Sequence, residues 1–236
     1  MLAESIIGHG RLELVWTNPL GGRTFRADVG GDIHYLKVSP VGLPSSHDPV
    51  REARRLQWVG RRLPVPEVVD VGCSDQFTWL RTREVRGIPL SHPRWSSTPR
   101  RTAWVMGEAV RQFHDSLADL VEECPFSWTV EDRLRRSGLS AAAHEMGAEA
   151  PPETALVVGH GDLCAPNILL TEDGNVSGFL DLGTLGVADR AADLGTGLWS
   201  LTFNGMGAHV PELLAAYGYD GDVDVVRWYS GFYAAV

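Results

Sequence analysis

The chain reads as an α+β protein, with a small antiparallel β-rich N-terminal part and a larger, mainly helical remainder. Three observations carry that reading. Residues 11 to 38 fall into short β-rich runs divided by turns rich in Gly and Asn, the pattern of an antiparallel meander. From Pro99 onward, Val105, Ala109, Val110, Phe113 and Leu117 recur at helical spacing. Within that helical part, the apolar run Ile168 to Leu170, the turn TEDGN and the run Val176 to Leu182 form a hairpin.

Taken in order, RLELVW, RTFRADV and IHYLKV are the first strands, with turns over Asn18 to Gly22 and Gly30 to Asp32. DPVREARRLQWVGRRL (48–63) is a helix closed off by Pro64 and Pro66. VPEVVDVG and FTWLRTREVRGIPL are two more strands leading to a crossover. The segment 128–153 reads as a helix followed by a connector of small residues, and GVADRAADLGTGLWSL as a loop and then a helix. PELLAAYG and DVDVVRWYSGFYAAV have helical period and turn Leu213, Tyr217, Trp228, Tyr229 and Phe232 inward.

A chain of 236 residues can hold two cores, and 44% hydrophobic content marks it as globular. It has no apolar run of about 18 residues and no basic region leading into an apolar one, so a cytoplasmic protein without membrane contact is expected. Cys73, Cys124 and Cys164 are odd in number and lack metal-ligand spacing, which makes free thiols the expectation, with Cys164 a packing residue. The net charge of -9 argues against nucleic acid and suits a small cationic partner. A monomer or weak dimer is expected.

Chemistry concentrates in HGDLCAPNILL (160–170) and GFLDLG (178–183). Asp162, Asn167 five residues on, and Asp181 after an apolar strand supply one carboxylate to orient and deprotonate a hydroxyl. They also supply an amide and a second carboxylate, hard oxygens suited to Mg²⁺ on nucleotide phosphates. This is the equipment of phosphoryl transfer from ATP or GTP, and the hairpin is expected to bring Asp181 beside Asn167. His160 braces the loop. Lys37 lies in HYLKV with Leu36 and Val38 on the other face, and an inward-facing Lys calls for an acidic partner, which the next helix offers as Glu52. Gly21 and Gly22 precede Lys37 where a nucleotide-covering loop belongs, although they do not form GxGxxG. No GxxxxGK[ST] loop occurs, which argues against a Walker-type kinase.

HGDLCAPNILL, GFLDLGTLGVADRAADL and CPFSW (124–128) closely resemble the aminoglycoside phosphotransferases, particularly the branch acting on kanamycin-like or streptomycin-like antibiotics. The resemblance implies a two-lobed protein-kinase-like fold, with residues 1–86 as nucleotide-binding lobe and hinge and 87–236 as catalytic and substrate-binding lobe. It implies that Lys37, positioned by Glu52, holds the α and β phosphates. Adenine would meet the carbonyl of Arg83 and the amide of Val85, and Asp193 would accept hydrogen bonds from the catalytic-loop backbone. His114 reads as a packing histidine, and Asp189 with Arg190 as either a solvated helix start or part of the substrate rim.

The sequence departs from the family where polyamine sugars are gripped. The loop before the catalytic motif is short, Trp199, Ser200 and Phe203 stand near expected acidic positions, and the last residues are YAAV. Glu131, Asp132, Glu145, Glu149, Glu153, Asp189 and Glu212 remain as candidate carboxylates. The alternatives to an aminoglycoside are another small hydroxyl compound, such as a peptide antibiotic, a macrolide or a metabolite, and a non-catalytic nucleotide-binding module on the same fold.

Overall fold

The computed structural model describes residues 2–8, 10–43, 47–135 and 139–236. The chain divides into two compact units, the first ending at Val85 and the second beginning at Arg86.

The first unit is built on a five-stranded sheet of β1 (Arg11–Thr17), β2 (Arg23–Val29), β3 (Asp32–Pro40), β4 (Val68–Cys73) and β5 (Phe77–Arg83), in the order β1-β2-β3-β5-β4. Every neighbouring pair is antiparallel. Alternation along the central strand β3 sends Leu36 and Val38 into the core while Lys37 takes the other face, opposite Thr24 and Leu80. Burying Leu36 and Leu80 stabilises the unit by roughly 1.5–3 kcal/mol each. A short helix unforeseen in the sequence, α1 (Leu2–Ile7), closes this core with Ala3 and Ile7 against Ala27. Helix α2 (Pro49–Val59) starts where the Asp48 side chain accepts the Val50 amide at 3.0 Å and Pro49 fixes the first turn. It stops at Val59 and does not run on to Leu63, because Gly60 adopts φ 57° and returns its amide to the Leu56 carbonyl.

In the second unit the long helix α3 (Pro99–Ser116) buries the predicted Val105, Ala109, Val110 and Phe113, with Leu117 buried just past its end and Met106 buried beside them. β6 (Ile88–Pro89), β8 (Ile168–Leu170) and β9 (Val176–Phe179) form a small antiparallel sheet in the order β6-β8-β9. β7 (Leu156–Gly159) pairs antiparallel with β10 (Gly186–Asp189), a strand where the sequence indicated a loop. Within 128–153 there are two helices, α4 (Val130–Leu134) and α5 (Ala141–Ala148). The small residues after Ser140 are therefore helical, since Ser140 caps the Ala143 amide at 3.1 Å and alanine has the highest helix propensity. Residues 136–138 of that segment lie outside the described residues. α6 (Arg190–Phe203), α7 (Val210–Tyr217) and α8 (Val223–Ala235) complete the unit, α6 packing along α8 and α3 along α7. Leu213, Tyr229 and Phe232 are buried, while Tyr217 and Trp228 are half-buried. Among the described residues no helix is long and apolar enough to cross a membrane.

Candidate active site

The loop between β7 and β8 is shaped from behind by α6. Asp193 accepts the amides of His160 at 2.7 Å and Gly161 at 2.8 Å. Gly161 has φ +82°, and a Cβ there would lie 2.5 Å from the Thr184 carbonyl, so no side chain fits. His160 is fully buried: Nε2–H donates to the Leu180 carbonyl at 2.9 Å and Nδ1 accepts the Asp162 amide at 3.3 Å. Ser200 receives the Ala165 amide at 2.9 Å. Ser200 is thus buried support for the loop, although the family resemblance set it beside Trp199 and Phe203 near expected acidic positions.

This framework brings Asp162, Asn167 and Asp181 together. Asn167 donates Nδ2–H to the Asp162 carbonyl at 2.8 Å and to Asp162 Oδ2 at 3.2 Å. The Asn167 carbonyl accepts the Leu180 amide at 2.9 Å, fastening the end of β9 to the loop and setting Asp181 next in line. Asp181 is the one non-glycine at positive φ among the described residues, at 64°. Asp is among the few non-glycine residues that enter this left-handed region, at a modest cost in backbone strain. Burial and the neighbouring Asp181 carboxylate push the Asp162 carboxyl above its usual range, against the opposing effect of a hydrogen bond from Tyr233.

That hydrogen bond is a feature the sequence did not disclose. Tyr233, in the last turn of α8, donates its hydroxyl to Asp162 Oδ1 at 2.5 Å. Its ring lies 5.0 Å from that of Trp199, which stacks on Phe203 at 5.3 Å and 18°. Phe203 is 76% exposed, so a strip of aromatic surface runs from solvent to the carboxylate. The Cys164 thiol is pushed up by burial and by Asp162, consistent with a packing role, and none of the three cysteines is in a disulfide.

Asp193 itself is 1% exposed. Burial alone would raise its carboxyl, but the hydrogen bond and charge of His114, with further help from His160, hold it at about 2. His114 bonds Asp193 at 3.0 Å and the Tyr217 hydroxyl at 3.0 Å, a satisfied buried histidine.

In the first unit, Lys37 Nζ meets both oxygens of Glu52, at 2.9 and 2.7 Å. Glu52 is 6% exposed, so the ammonium balances an otherwise buried charge. Gly21 and Gly22 lie in a turn organised by Asn18, whose Oδ1 accepts the amides of Leu20 at 3.0 Å and Gly22 at 2.7 Å. A Cβ on Gly22 would come within 2.5 Å of the Asn18 amide nitrogen. Arg83 ends β5 opposite His34, with its amide on the Glu67 carbonyl at 2.9 Å and its guanidinium on Glu67 at 3.2 Å. Val85 follows, half-buried, as the last residue of the unit.

Five of the seven candidate carboxylates are occupied elsewhere. Glu131 pairs with Arg135, and Asp132 closes a capping box with Thr129. Glu153 accepts the Val130 amide at 3.3 Å, and Glu212 pairs with Arg100 at 2.9 Å. Asp189, buried, accepts the amides of Thr154, Ala155 and Ala191, and is neither a solvated helix start nor a rim residue. Arg190 pairs with Asp220. Glu145 and Glu149 are exposed.

Mg²⁺ is held by few protein groups, phosphate oxygens and water completing its octahedron. Asn167 and Asp181 fit that demand: Nδ2 of Asn167 is committed to Asp162, which makes its amide oxygen the atom that would meet a metal. Among the described residues no cluster of three or more His, Cys, Asp or Glu side chains forms an all-protein cage.

Comparison with known proteins agrees with this geometry. Residues 22–229 match the phosphotransferase enzyme family. A streptomycin 3''-kinase of Streptomyces griseus is 35% identical over 200 residues, covering 74% of this chain and 71% of its own. An aminoglycoside 3'-phosphotransferase of Streptomyces fradiae is 33% identical over 185 residues, covering 68% of each chain. The solved structure of an aminoglycoside phosphotransferase from Streptomyces rimosus, in complex with ADP and streptomycin, superposes with a TM-score of 0.75 at 28% identity, over 98% of this chain and 94% of that one. With a sheet-based first unit, a helical second unit and the Asp162, Asn167 and Asp181 cluster, the chain belongs to the phosphotransferase enzyme family.

Proposed function

We propose that the protein transfers the γ-phosphate of ATP or GTP to a hydroxyl of an aminoglycoside. The observation carrying this reading is the convergence of Asp162, Asn167 and Asp181 on one loop end, held by the Asp193 clamp. Asp162 orients the acceptor hydroxyl and takes its proton. Asn167, through its amide oxygen, and Asp181, through its carboxylate, would hold Mg²⁺, which would neutralise charge on the phosphates. Lys37, fixed by Glu52, supplies the phosphate counter-charge, with Gly21 and Gly22 in the covering turn and the main chain of Arg83 and Val85 at the adenine. The first unit thereby binds nucleotide and the second performs transfer. Positioning and charge neutralisation supply most of the rate. Three cysteines outside any disulfide and an ATP-dependent reaction fit a cytoplasmic setting.

The distribution of carboxylates narrows the acceptor. Each well-placed carboxylate contributes about 1.5–3 kcal/mol to holding an ammonium, so two or three engaged elsewhere cost about 10² or more in affinity. A high KM for polyamine aminoglycosides follows, and the aromatic strip favours an acceptor with a single ammonium or an apolar face over a polyamine. The test is ADP release with kanamycin, streptomycin and a macrolide side by side. Turnover of at least one aminoglycoside supports the reading. Turnover of the macrolide alone would move the substrate class, and no ADP release with any acceptor would sink the kinase assignment.

A further inference from the structure

We propose that the Tyr233 hydroxyl occupies the place of the acceptor hydroxyl on Asp162, and that Tyr233, Trp199 and Phe203 select the acceptor. This rests on the kinase reading above and adds the residues that decide which ring is admitted. Both oxygens of Asp162 are engaged: Oδ1 by Tyr233 at 2.5 Å and Oδ2 by Asn167 at 3.2 Å. The Cys164 thiol bonds the same carboxylate, so an incoming hydroxyl competes with donors already in place. Asn167 is 8% exposed and also bonds the Asp162 carbonyl at 2.8 Å, so releasing it would undo the loop. Tyr233 is half-buried at the end of a helix and leaves by side-chain rotation. Oδ1 is therefore the acceptor's seat, and the exchange there is one hydroxyl for another.

The surroundings define what displaces the phenol. Trp199 and Phe203, four residues apart on α6, stack into a flat surface that is open at Phe203 and reaches Tyr233 at 5.0 Å. A ring bearing an ammonium gains cation–π attraction on such a surface, and its C–H face gains apolar contact. The site thus suits a saturated ring with one hydroxyl directed at Asp162 and an ammonium or apolar face against Trp199. An acceptor that places neither against Trp199 loses the competition with Tyr233.

The experiment compares Tyr233→Phe and Tyr233→Ala with the parent, using whichever acceptor the parent phosphorylates. Tyr233→Phe keeps the ring and removes the competitor, so acceptor KM should fall by about tenfold, the worth of one charge-assisted hydrogen bond. Tyr233→Ala removes the wall as well, and KM should rise above that of Tyr233→Phe. Melting temperatures of Tyr233→Phe, Asp162→Ala and the double variant provide an acceptor-free readout, in which shifts that are not additive report the contact. Additive shifts, or an unchanged or raised KM in Tyr233→Phe, would each overturn the proposal. Parent turnover with unchanged KM in Tyr233→Phe sinks the seat alone, whereas no turnover by any form sinks the kinase reading and the seat together.

Discussion

Asp193 and His114, 79 positions apart in the sequence, meet at 3.0 Å in the interior of the second unit. The Asp193 carboxyl sits at about 2 in the folded protein, below its ordinary 3.8. A depressed acid stabilises the fold above its unfolded value and loses that contribution as pH falls through its folded value. Stability should therefore drop by about 2 kcal/mol between pH 4 and pH 2 on account of this group. Urea melts across that range should show the slope in the parent and lose much of it in Asp193→Asn. A curve unchanged by the substitution would contradict the coupling.

The same carboxylate shapes the catalytic loop, so Asp193→Asn should also reduce kcat by about 10-fold or more, through weaker bonds to the amides of His160 and Gly161. Nucleotide affinity should stay within about twofold. Loss of both to the same degree would show general unfolding and no specific effect on the loop.

Asp162→Ala should lower kcat by roughly 10² to 10⁴ and leave nucleotide affinity nearly intact, since the lost group acts on the acceptor hydroxyl. Burial and Asp181 both disfavour the charged form of Asp162. The variant should accordingly melt at or above the parent temperature despite losing the Tyr233 bond. Single-turnover rates matching the parent would remove Asp162 from the mechanism.

Asp181→Asn and Lys37→Ala should damage nucleotide use in distinguishable ways. Asn tolerates the left-handed backbone at 181, so the first substitution isolates the charge, and raised Mg²⁺ should partly rescue it. Lys37→Ala leaves Glu52 buried without its ammonium partner, costing about 1–3 kcal/mol of stability, and Mg²⁺ should not rescue it. Equal rescue of both, read as kcat against Mg²⁺ concentration, would contradict the assigned roles.

Gly161→Ala tests the geometry of the loop alone. Its Cβ would enter a left-handed position already filled by the Thr184 carbonyl, and destabilisation of about 1–3 kcal/mol together with loss of activity is expected. A fully active, equally stable variant would mean that the loop can rearrange.

What the sequence made legible was local. The hairpin carrying Asn167 and Asp181 followed from two apolar runs around TEDGN, and the contact of Lys37 with Glu52 from strand alternation next to a helix start. What it concealed depended on distant partners. Asp189 reads as a solvated helix start or a rim residue, yet two of the three amides it accepts come from Thr154 and Ala155, over 30 residues earlier. Tyr233 reads as one more aromatic in a helical run, and only the docking of α8 on α6 brings it to Asp162, 71 residues away. Trp199 and Phe203 stood out in the sequence only as departures from expected acidic positions, and their aromatic partner lay on another helix.

Helix α6 presents two faces with separate duties. Asp193, Thr196 and Ser200 turn inward and are all but sealed from solvent, while Trp199 and Phe203 lie along the accessible side. Positions 199 and 203 can therefore drift under selection without disturbing the loop that the inward positions hold. A lineage carrying this helix could change its diet of acceptors by a few exposed substitutions while its catalytic apparatus is inherited unaltered.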